Sequence, residues 1–284
     1  MTTTARPAPE EGILLRLAGP LQSWGRLSHF NERDTAHFPT RSGVIGLLAA
    51  AMGRTREQHI DDLATLTLTV RIDRPGVPLR DLHTVGGGLP ARATVTTAEG
   101  KKRGGDTTTL KTHRTYLSDA AFTIALTTTS DTPEGLLRET AAALIHPRWP
   151  LFLGRRSCPP EGPLLLGSSD DVLHHLLHLP IAARPPRAGH HPDVTFTSDR
   201  PLDRLPVPGA LRTANAEDGD MPAGQINDHP ASFHPQRRSY RARPAYQRIL
   251  RLPADQYTGL GTAHLNTLGS YTAEHLAQPE SSPR

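Results

Sequence analysis

The sequence predicts an α+β fold, and three features carry this prediction. Short apolar runs with the alternation of β-strands flank two longer helical segments. Between two of the strand patterns lies a basic stretch with few residues that could join a core. The 27 prolines and 24 glycines among 284 residues favour many turns and argue against an all-helical bundle.

The first strands and the first helix are marked by their apolar patterns. Residues 13–17 form an apolar run that ends before a Gly-Pro pair, as expected of a buried strand followed by a turn. Residues 44–52 are good helix formers closed by a glycine, and Thr40 or Ser42 can cap the start of this helix. Residues 63–72 alternate apolar and polar side chains, which predicts a strand with one buried face.

A basic insert and a second strand and helix complete the N-terminal pattern. Residues 79–116 contain seven basic and three acidic residues and little that could form a core, which predicts a projecting β-hairpin, or thumb. Residues 122–126 alternate like a strand, and residues 132–145 begin with the proline and glutamate typical of a helix start. This order is most of a split βαβ unit. We therefore predict a ferredoxin-like domain over residues 11–165, similar to RNA-recognition motifs.

The C-terminal part gives weaker signals. Residues 166–258 are predicted to form a smaller, irregular β-rich region, and the polar residues 259–284 a flexible tail. His174, His175 and His178 lie on a short predicted helix without the glutamate of a zinc-binding His-Glu-x-x-His motif. We expect these to be solvated or packing histidines, and we expect no metal or other cofactor.

The sequence shows no sign of export. Cys158 is the only cysteine, which excludes an internal disulfide and fits a reducing compartment. Residues 1–10 lack the apolar core of a signal peptide, and no run approaches the ~20 apolar residues that a membrane helix needs. We expect a cytoplasmic protein.

Positive charge is segregated along the chain. The net charge is only +4, but residues 233–251 contain six arginines and no acidic residue, and residues 146–157 contain three more arginines. Together with the basic insert, these stretches are typical of a surface that binds a polyanion.

The entrance of the first helix is a candidate phosphate site. A helix N-terminus offers unpaired N–H groups and a partial positive charge, and Arg41, Ser42 and Gly43 stand at this position. A polar loop that contains Trp24 precedes them. In the alternative interpretation Ser42 only caps the helix, Trp24 only packs and Arg41 only faces water.

Two arginine-rich segments are further candidates. Arg155 and Arg156 are adjacent guanidinium groups in a glycine-containing loop, and each can donate two hydrogen bonds to phosphate oxygens. Farther along, arginines alternate with Tyr240, a pattern that suits unpaired bases stacked on aromatic rings. The alternatives are an arginine paired with a local carboxylate and a merely basic edge strand.

Four blocks of the sequence resemble one protein family, the CasD family, which comprises the Cas-five-e subunits of the type I-E CRISPR surveillance complex Cascade and belongs to the RAMP superfamily. The blocks are Leu15-Arg-Leu-Ala-Gly-Pro-Leu-Gln-Ser-Trp-Gly25 with Phe38-Pro-Thr-Arg-Ser-Gly43, His83-Thr-Val85 with Tyr116-Leu-Ser-Asp-Ala-Ala-Phe122 on either side of the insert, Phe152-Leu-Gly-Arg-Arg-Ser-Cys-Pro159, and Phe233-His-Pro-Gln-Arg-Arg-Ser-Tyr-Arg-Ala-Arg-Pro244. The resemblance covers residues 12 to about 255, with gaps in the thumb tip and over residues 180–231.

The resemblance implies a non-catalytic subunit that holds the 5′ handle of the CRISPR RNA and contributes to antiviral defence. It also implies contacts with the CasC backbone subunit and the large CasA subunit, and no membrane or small-molecule substrate. Taken with the charge pattern, it gives this set of expected RNA-binding residues: Gln22, Ser23, Trp24, Arg26, Arg41, Ser42, Gly43, His83, Lys111, Arg114, Arg155, Arg156, Ser157, Arg237, Arg238, Tyr240 and Arg241.

One catalytic alternative remains open. Metal-independent cleavage of CRISPR repeat RNA needs a base, an acid and a cation, and Lys111, His113 and Tyr116 can fill these roles. Related Cas-five proteins of type I-C systems are nucleases with a Tyr, Lys and His set, whereas the type I-E members are not. The sequence therefore favours binding without cleavage.

Overall fold

The structure, a computed structural model, describes residues 7–26, 28–29, 31–86, 90–93, 101–102, 109–187, 192–208 and 221–278. Its strands are β1 (Gly12–Ala18), β2 (Leu21–Gln22), β3 (Ser28–His29), β4 (Glu32–Arg33), β5 (Thr67–Arg74), β6 (Val77–Val85), β7 (Leu110–Ser118), β8 (Ala121–Thr127), β9 (Leu165–Ser169), β10 (Asp193–Ser198), β11 (Gly224–Ser232) and β12 (Ser239–Arg251). The α-helices are α1 (Arg41–Ala51), α2 (Leu136–Ile145), α3 (Val172–His178) and α4 (Gly261–His275). No helix in the described ranges is long and apolar enough to span a membrane.

Seven strands form the main sheet, in the order β11-β12-β10-β5-β8-β1-β9, and every neighbouring pair is antiparallel. The N-terminal elements of this sheet follow the sequence β1-α1-β5-β8-α2-β9. Strands β10, β12 and β11 continue the same sheet beyond β5, so the C-terminal region joins the N-terminal strands through backbone hydrogen bonds.

The main sheet has a hydrophobic core on each face. Alternate residues of β1 point to opposite faces: Ile13 and Leu15 join the core that contains α1 and α2, whereas Leu14 joins the core that contains α3. All seven residues of β1 and the first five of β5 are therefore buried. The prediction of a strand with only one buried face over residues 63–72 was wrong, because the C-terminal region covers the second face.

The basic insert between β5 and β8 contains an antiparallel hairpin. Strand β6 pairs with β7 from Val77 opposite Ser118 to Val85 opposite Leu110. Strands β2 and β4 pair with β7, and β3 pairs with β4, to complete a second sheet. The tip expected between these strands lies mostly outside the described residues.

The C-terminal stretch differs from the flexible tail expected over residues 259–284. Residues 261–275 form α4, and Leu268 and Leu276 are buried in the α3-side core. The Ala277 N–H donates to the Ser168 carbonyl at 2.9 Å, and the Ser168 N–H donates to the Ala277 carbonyl at the same distance. The prediction failed because only a few apolar residues anchor this largely polar helix. Residues 279–284 lie outside the described part.

His264 on α4 gives the fold a pH dependence. The side chain is 3% exposed, a 2.8 Å hydrogen bond joins its Nδ1 to Thr258 Oγ1, and burial lowers its pKa to about 4. The unfolded chain binds this proton near pH 6.5, so the stabilisation is complete above pH 6.5 and is lost as the pH falls toward 4. We expect the free energy of unfolding to drop by about 2 kcal/mol more between pH 7 and pH 5 in the wild type than in His264→Gln. Urea denaturation at both pH values measures this. His59→Gln, which changes an exposed histidine, is the control and should keep the wild-type pH dependence. If His264→Gln lost as much stability between pH 7 and pH 5 as the wild type, His264 would not be the source of the pH dependence.

Candidate nucleic-acid interface

A cavity of about 520 Å³ lies where three of the predicted segments meet. The polar loop after β1, the N-terminus of α1, the loop at residues 154–155 and the β11-β12 pair all contribute to its walls. Its lining residues are Ser23, Trp24, Gly25, Arg26, Arg33, Asp34, Thr40, Ser42, Gly43, Gly154, Arg155, Asn227, Asp228, Arg238 and Tyr240. Eight of these belong to the set expected from sequence: Ser23, Trp24, Arg26, Ser42, Gly43, Arg155, Arg238 and Tyr240.

Arg26, Arg33 and Arg238 are the exposed cations that line this cavity. The backbone N–H of Arg26 donates to Asp34 Oδ1 at 3.1 Å, which fixes the loop while the side chain stays in solvent. The guanidinium carbon of Arg238 lies 5.7 Å from the centroid of the Tyr240 ring. An aromatic ring and flanking guanidinium groups can hold a base and its phosphates at the same time.

The N-terminus of α1 contributes one backbone donor to the cavity, the Ser42 N–H. Thr40 caps the helix, since its Oγ1 accepts a hydrogen bond from the Gly43 N–H at 3.3 Å. The Arg41 N–H donates to Asp228 Oδ2 at 2.7 Å. Within the described chain, the Ser42 N–H has no partner, so this first-turn donor remains for a ligand.

Gly43 allows the helix to approach Trp24. A Cβ atom at position 43 would lie 2.7 Å from the Trp24 ring. Trp24 is buried and donates from Nε1 to Gln22 Oε1 at 3.0 Å, and the Gln22 amide donates to the Leu17 and Ala120 carbonyls. The expectation of direct RNA contact is therefore corrected for Gln22, which is fully buried and outside the cavity. Ser23 is also buried and donates to the Thr115 carbonyl at 3.3 Å.

The structure also corrects the expectation for Arg41. Its side chain is buried and outside the main cavity. Nη1 pairs with Asp199, and Nη2 donates to the carbonyls of Ala64 and Leu66 at 2.6 and 2.7 Å. Burial lowers the pKa of the Arg41 guanidinium and raises that of the Asp199 carboxyl, and the attraction between the two charges opposes both shifts. Arg41 thus joins α1 to the main sheet, and its donors are not available to a phosphate.

Arg155 is a positioning residue more than a free cation. Nη1 donates to the Thr115 carbonyl at 3.0 Å, Nη2 donates to the Arg33 carbonyl at 3.0 Å, and the guanidinium lies 4.7 Å from the Tyr116 ring centroid. These contacts hold the loop at residues 154–155 against β4 and β7. The predicted pair of neighbouring phosphate-binding arginines is not formed here, because Arg156 is exposed outside the cavity.

The remaining expected residues lie around the cavity without lining it. Ser157 donates to the Tyr116 hydroxyl at 3.4 Å. On the hairpin, His83 pairs with Asp81 at 2.6 Å, Lys111 is exposed, and Arg114 lies in register with both Asp81 and Arg33. Arg237 and Arg241 are exposed next to Arg238 and Tyr240. Arg33 on β4 lines the cavity, and its register partner Arg114 on β7 lies next to it in the second sheet.

The candidate catalytic set is not assembled in the structure. Lys111 and His113 share one face of β7, whereas Tyr116 lies on the other because side chains alternate along a strand. Tyr116 is 3% exposed under the Arg155 guanidinium. Among the described residues no group of His, Cys, Asp and Glu side chains could hold a metal ion.

Sequence reasoning missed the acidic and amide side chains of the cavity. Asp228 is buried, accepts from Arg243 Nε at 2.6 Å and from Nη2 at 3.1 Å, and also accepts from the Arg41 N–H. It therefore links α1 to β11 and β12. Asn227 and Asp34 line the same cavity. No local pattern marks Asp228 as a link to α1, since Arg41 lies 187 positions away in the sequence.

Comparisons with known proteins agree with this architecture. The family model described as "CRISPR-associated protein (Cas_Cas5)" matches residues 12–246. "CRISPR system Cascade subunit CasD" of Escherichia coli (strain K12) is 36% identical over 232 residues, which span 75% of this chain and 98% of that protein. A chain of a solved "CRISPR RNA-guided surveillance complex" superposes with a TM-score of 0.74 at 38% identity, covering 92% of this chain and 99% of that chain. A chain from "Crystal structure of Cas protein" gives a TM-score of 0.55 at 31% identity, covering 88% and 98%.

These similarities define the chain as a CRISPR-associated protein with an antiparallel α+β fold. The chain belongs to the Cas5 family. The family relationship predicted from the four sequence blocks is thereby confirmed.

Proposed function

We propose that this protein is a Cascade subunit that binds the CRISPR RNA and holds its 5′ handle in the 520 Å³ cavity. The convergence of Arg26, Arg238 and Tyr240 on the N-terminus of α1 carries the proposal, because Arg26 and Arg238 are more than 200 positions apart in the sequence. The similarity to the CasD subunit and to a chain of an RNA-guided complex supports the identity of the ligand.

The fold supports an RNA-binding role. The order β1-α1-β5-β8-α2-β9 and the antiparallel neighbours of β1 fit a ferredoxin-like domain, which RNA-recognition motifs share. We propose this domain for residues 11–165, with the hairpin β6-β7 as an inserted thumb. A cavity of about 520 Å³ falls within the usual range for small-ligand sites, which suits one nucleotide with its base unstacked.

The proposed subunit acts by binding and not by cleavage. The separation of Tyr116 from Lys111 and His113 on β7 supports this part of the proposal. Its proposed protein partners are the CasC backbone subunit and the large CasA subunit. The exposed Val77, Leu79 and Leu82 on the outer strand of the hairpin support a protein contact there.

The test removes two of the three exposed cations of the cavity together. For Arg26→Ala with Arg238→Ala, we expect handle-containing RNA to bind roughly 30- to 150-fold more weakly, since each lost charged contact is worth about 1–1.5 kcal/mol. We also expect the slope of log affinity against log salt to fall by about 1.4, because each lost phosphate contact removes about 0.7 from it. Fluorescence anisotropy across a salt series measures both quantities.

A matched control is Arg56→Ala with Arg138→Ala, which removes two exposed arginines outside the cavity. This control should retain wild-type affinity and nearly the wild-type slope. Equal affinities for the cavity variant and the control would contradict the proposed function.

A further inference from the structure

A second cavity of about 190 Å³ adjoins the first. The two cavities are separated by the wall that Arg41 and Asp228 build: Ser42 and Asp228 line the first cavity, and their chain neighbours Arg41 and His229 line the second. Consecutive Cα atoms are about 3.8 Å apart, so the two sites are close in space. The second cavity is smaller than the roughly 300 Å³ of a typical small-molecule site and suits a single compact group.

Most of the polar groups that line this second cavity are cationic or neutral donors. Arg41, Arg200, Arg243 and His229 contribute to it, and Asp199 is its one acidic residue among the described part of the chain. Arg41 is paired with Asp199, and Arg243 is paired with Asp228, so these four charges balance. The positive charge of Arg200 is not part of either pair.

Arg200 supplies a positive charge that has no acidic counterpart among the described residues. Arg200 is exposed. Among the described residues its one hydrogen bond runs from its backbone N–H to Ser198 Oγ at 3.2 Å. Across the described ranges its guanidinium has no acidic partner. An exposed arginine at the mouth of a cavity can donate two hydrogen bonds to one anion.

His229 supplies a neutral donor with a fixed tautomer. Arg41 Nε–H donates to His229 Nδ1 at 3.1 Å, and a guanidinium nitrogen has no lone pair to accept in return. The imidazole proton therefore resides on Nε2, where it can be donated to a ligand. Burial and the neighbouring positive charge of Arg41 lower the pKa of His229, which keeps the ring neutral at pH 7.

We propose that this second cavity is a phosphate-binding site, formed by the Arg200 guanidinium and the His229 Nε2–H. Because the second cavity adjoins the first, the favoured source of this phosphate is a phosphodiester of the RNA strand that leaves the first cavity. This part of the proposal rests on the proposed function. A free phosphate ion offers the same chemistry, and the experiment separates the two sources.

The RNA experiment compares Arg200→Ala with the control Arg56→Ala. We expect Arg200→Ala to weaken binding of handle-containing RNA by roughly three- to tenfold and to lower the salt slope by about 0.7, the value of one phosphate contact on a single strand. Arg56→Ala should leave both quantities unchanged. The Arg200 side chain makes no hydrogen bond or ion pair with the described residues, so the variant is expected to remain as stable as the wild type.

A second measurement uses inorganic phosphate alone with the full chain. The imidazole resonances of His229, assigned by their loss in His229→Gln, should shift on phosphate addition in the wild type and not in Arg200→Ala. If phosphate produces this shift while the RNA slope of Arg200→Ala stays at the wild-type value, the site takes free phosphate.

Two results overturn the proposal: no phosphate shift together with an unchanged slope, or a His229 shift caused by a glutamate peptide and not by phosphate. The latter would assign the cavity to an acidic protein segment. Failure of the proposed function can be distinguished from failure of this proposal. It would appear as unchanged RNA binding in the Arg26→Ala, Arg238→Ala double variant, independently of the results for Arg200→Ala and for phosphate.

Discussion

Replacing Arg71 with methionine is expected to reduce the free energy of unfolding by about 3–5 kcal/mol, the cost of breaking a buried ion pair from one side. Arg71 is 0% exposed in β5. Its Nε donates to Asp73 at 2.5 Å, Nη1 donates to the carbonyls of Leu176 and Leu179 at 2.8 Å each, and Nη2 donates to the Pro180 carbonyl at 3.0 Å.

The size of this effect follows from what the substitution leaves behind. The last carbonyls of α3 lose their donors, and the Asp73 carboxylate, whose side chain is 4% exposed, loses its counter-charge. Arg71→Lys should recover only part of the loss, because one ammonium group cannot reproduce the planar fork of a guanidinium. Urea denaturation followed by circular dichroism measures these differences.

Arg251→Met provides the comparison. Arg251 pairs with Asp193 at 3.1 Å on the same sheet, but both side chains are more than half exposed, so the change should cost less than about 1 kcal/mol. If Arg71→Met and Arg251→Met lost the same stability, the structural role given to Arg71 would be wrong.

Replacing Gly154 with alanine is expected to disrupt the cavity from a position that carries no charge. Gly154 has a φ of +94°, and a Cβ there would lie 1.8 Å from the Ser23 carbonyl oxygen. The Ser23 N–H also donates to the Leu153 carbonyl at 3.0 Å, so the two loops cannot separate without breaking this bond. We expect a loss of stability of at least about 1–3 kcal/mol and, at a temperature where the protein is folded, at least tenfold weaker RNA binding.

Gly25→Ala is the matched control for this prediction. Gly25 lines the same cavity, and its added Cβ would meet no heavy atom within 4 Å. Melting temperature and RNA affinity of Gly25→Ala should stay close to the wild type. Wild-type RNA affinity in Gly154→Ala would show that the contact between the two loops does not shape the binding site.

The sequence was sufficient for elements with strong local patterns, such as β1 and α1. The cap at Thr40 and the helix that follows it come from short-range preferences, and such preferences are readable in a single chain. The resemblance of the block that contains Gln22-Ser-Trp24 to a known family was also recognisable. The physical role of these residues was not, since Gln22 and Trp24 bond to each other inside the protein.

Long-range partners account for what the sequence did not reveal. Arg41 stands at the helix entrance as expected, but its side chain turns inward to pair with Asp199, and its backbone N–H donates to Asp228; both partners are more than 150 residues away. The burial of both faces of β5 likewise depends on β10 and α3, which follow much later in the chain. A polar helix such as α4 gives little periodic signal, because His264 and Leu268 are its only buried residues.

The shared sheet has a consequence for how the molecule loses its structure. Strand β1 contributes to both cores, and β10 is hydrogen-bonded to β5, so neither half can keep its packing once the other has melted. Heating should therefore give one cooperative transition, and a fragment cut after residue 165 should be insoluble or molten, since it would expose an apolar sheet face that the intact chain covers.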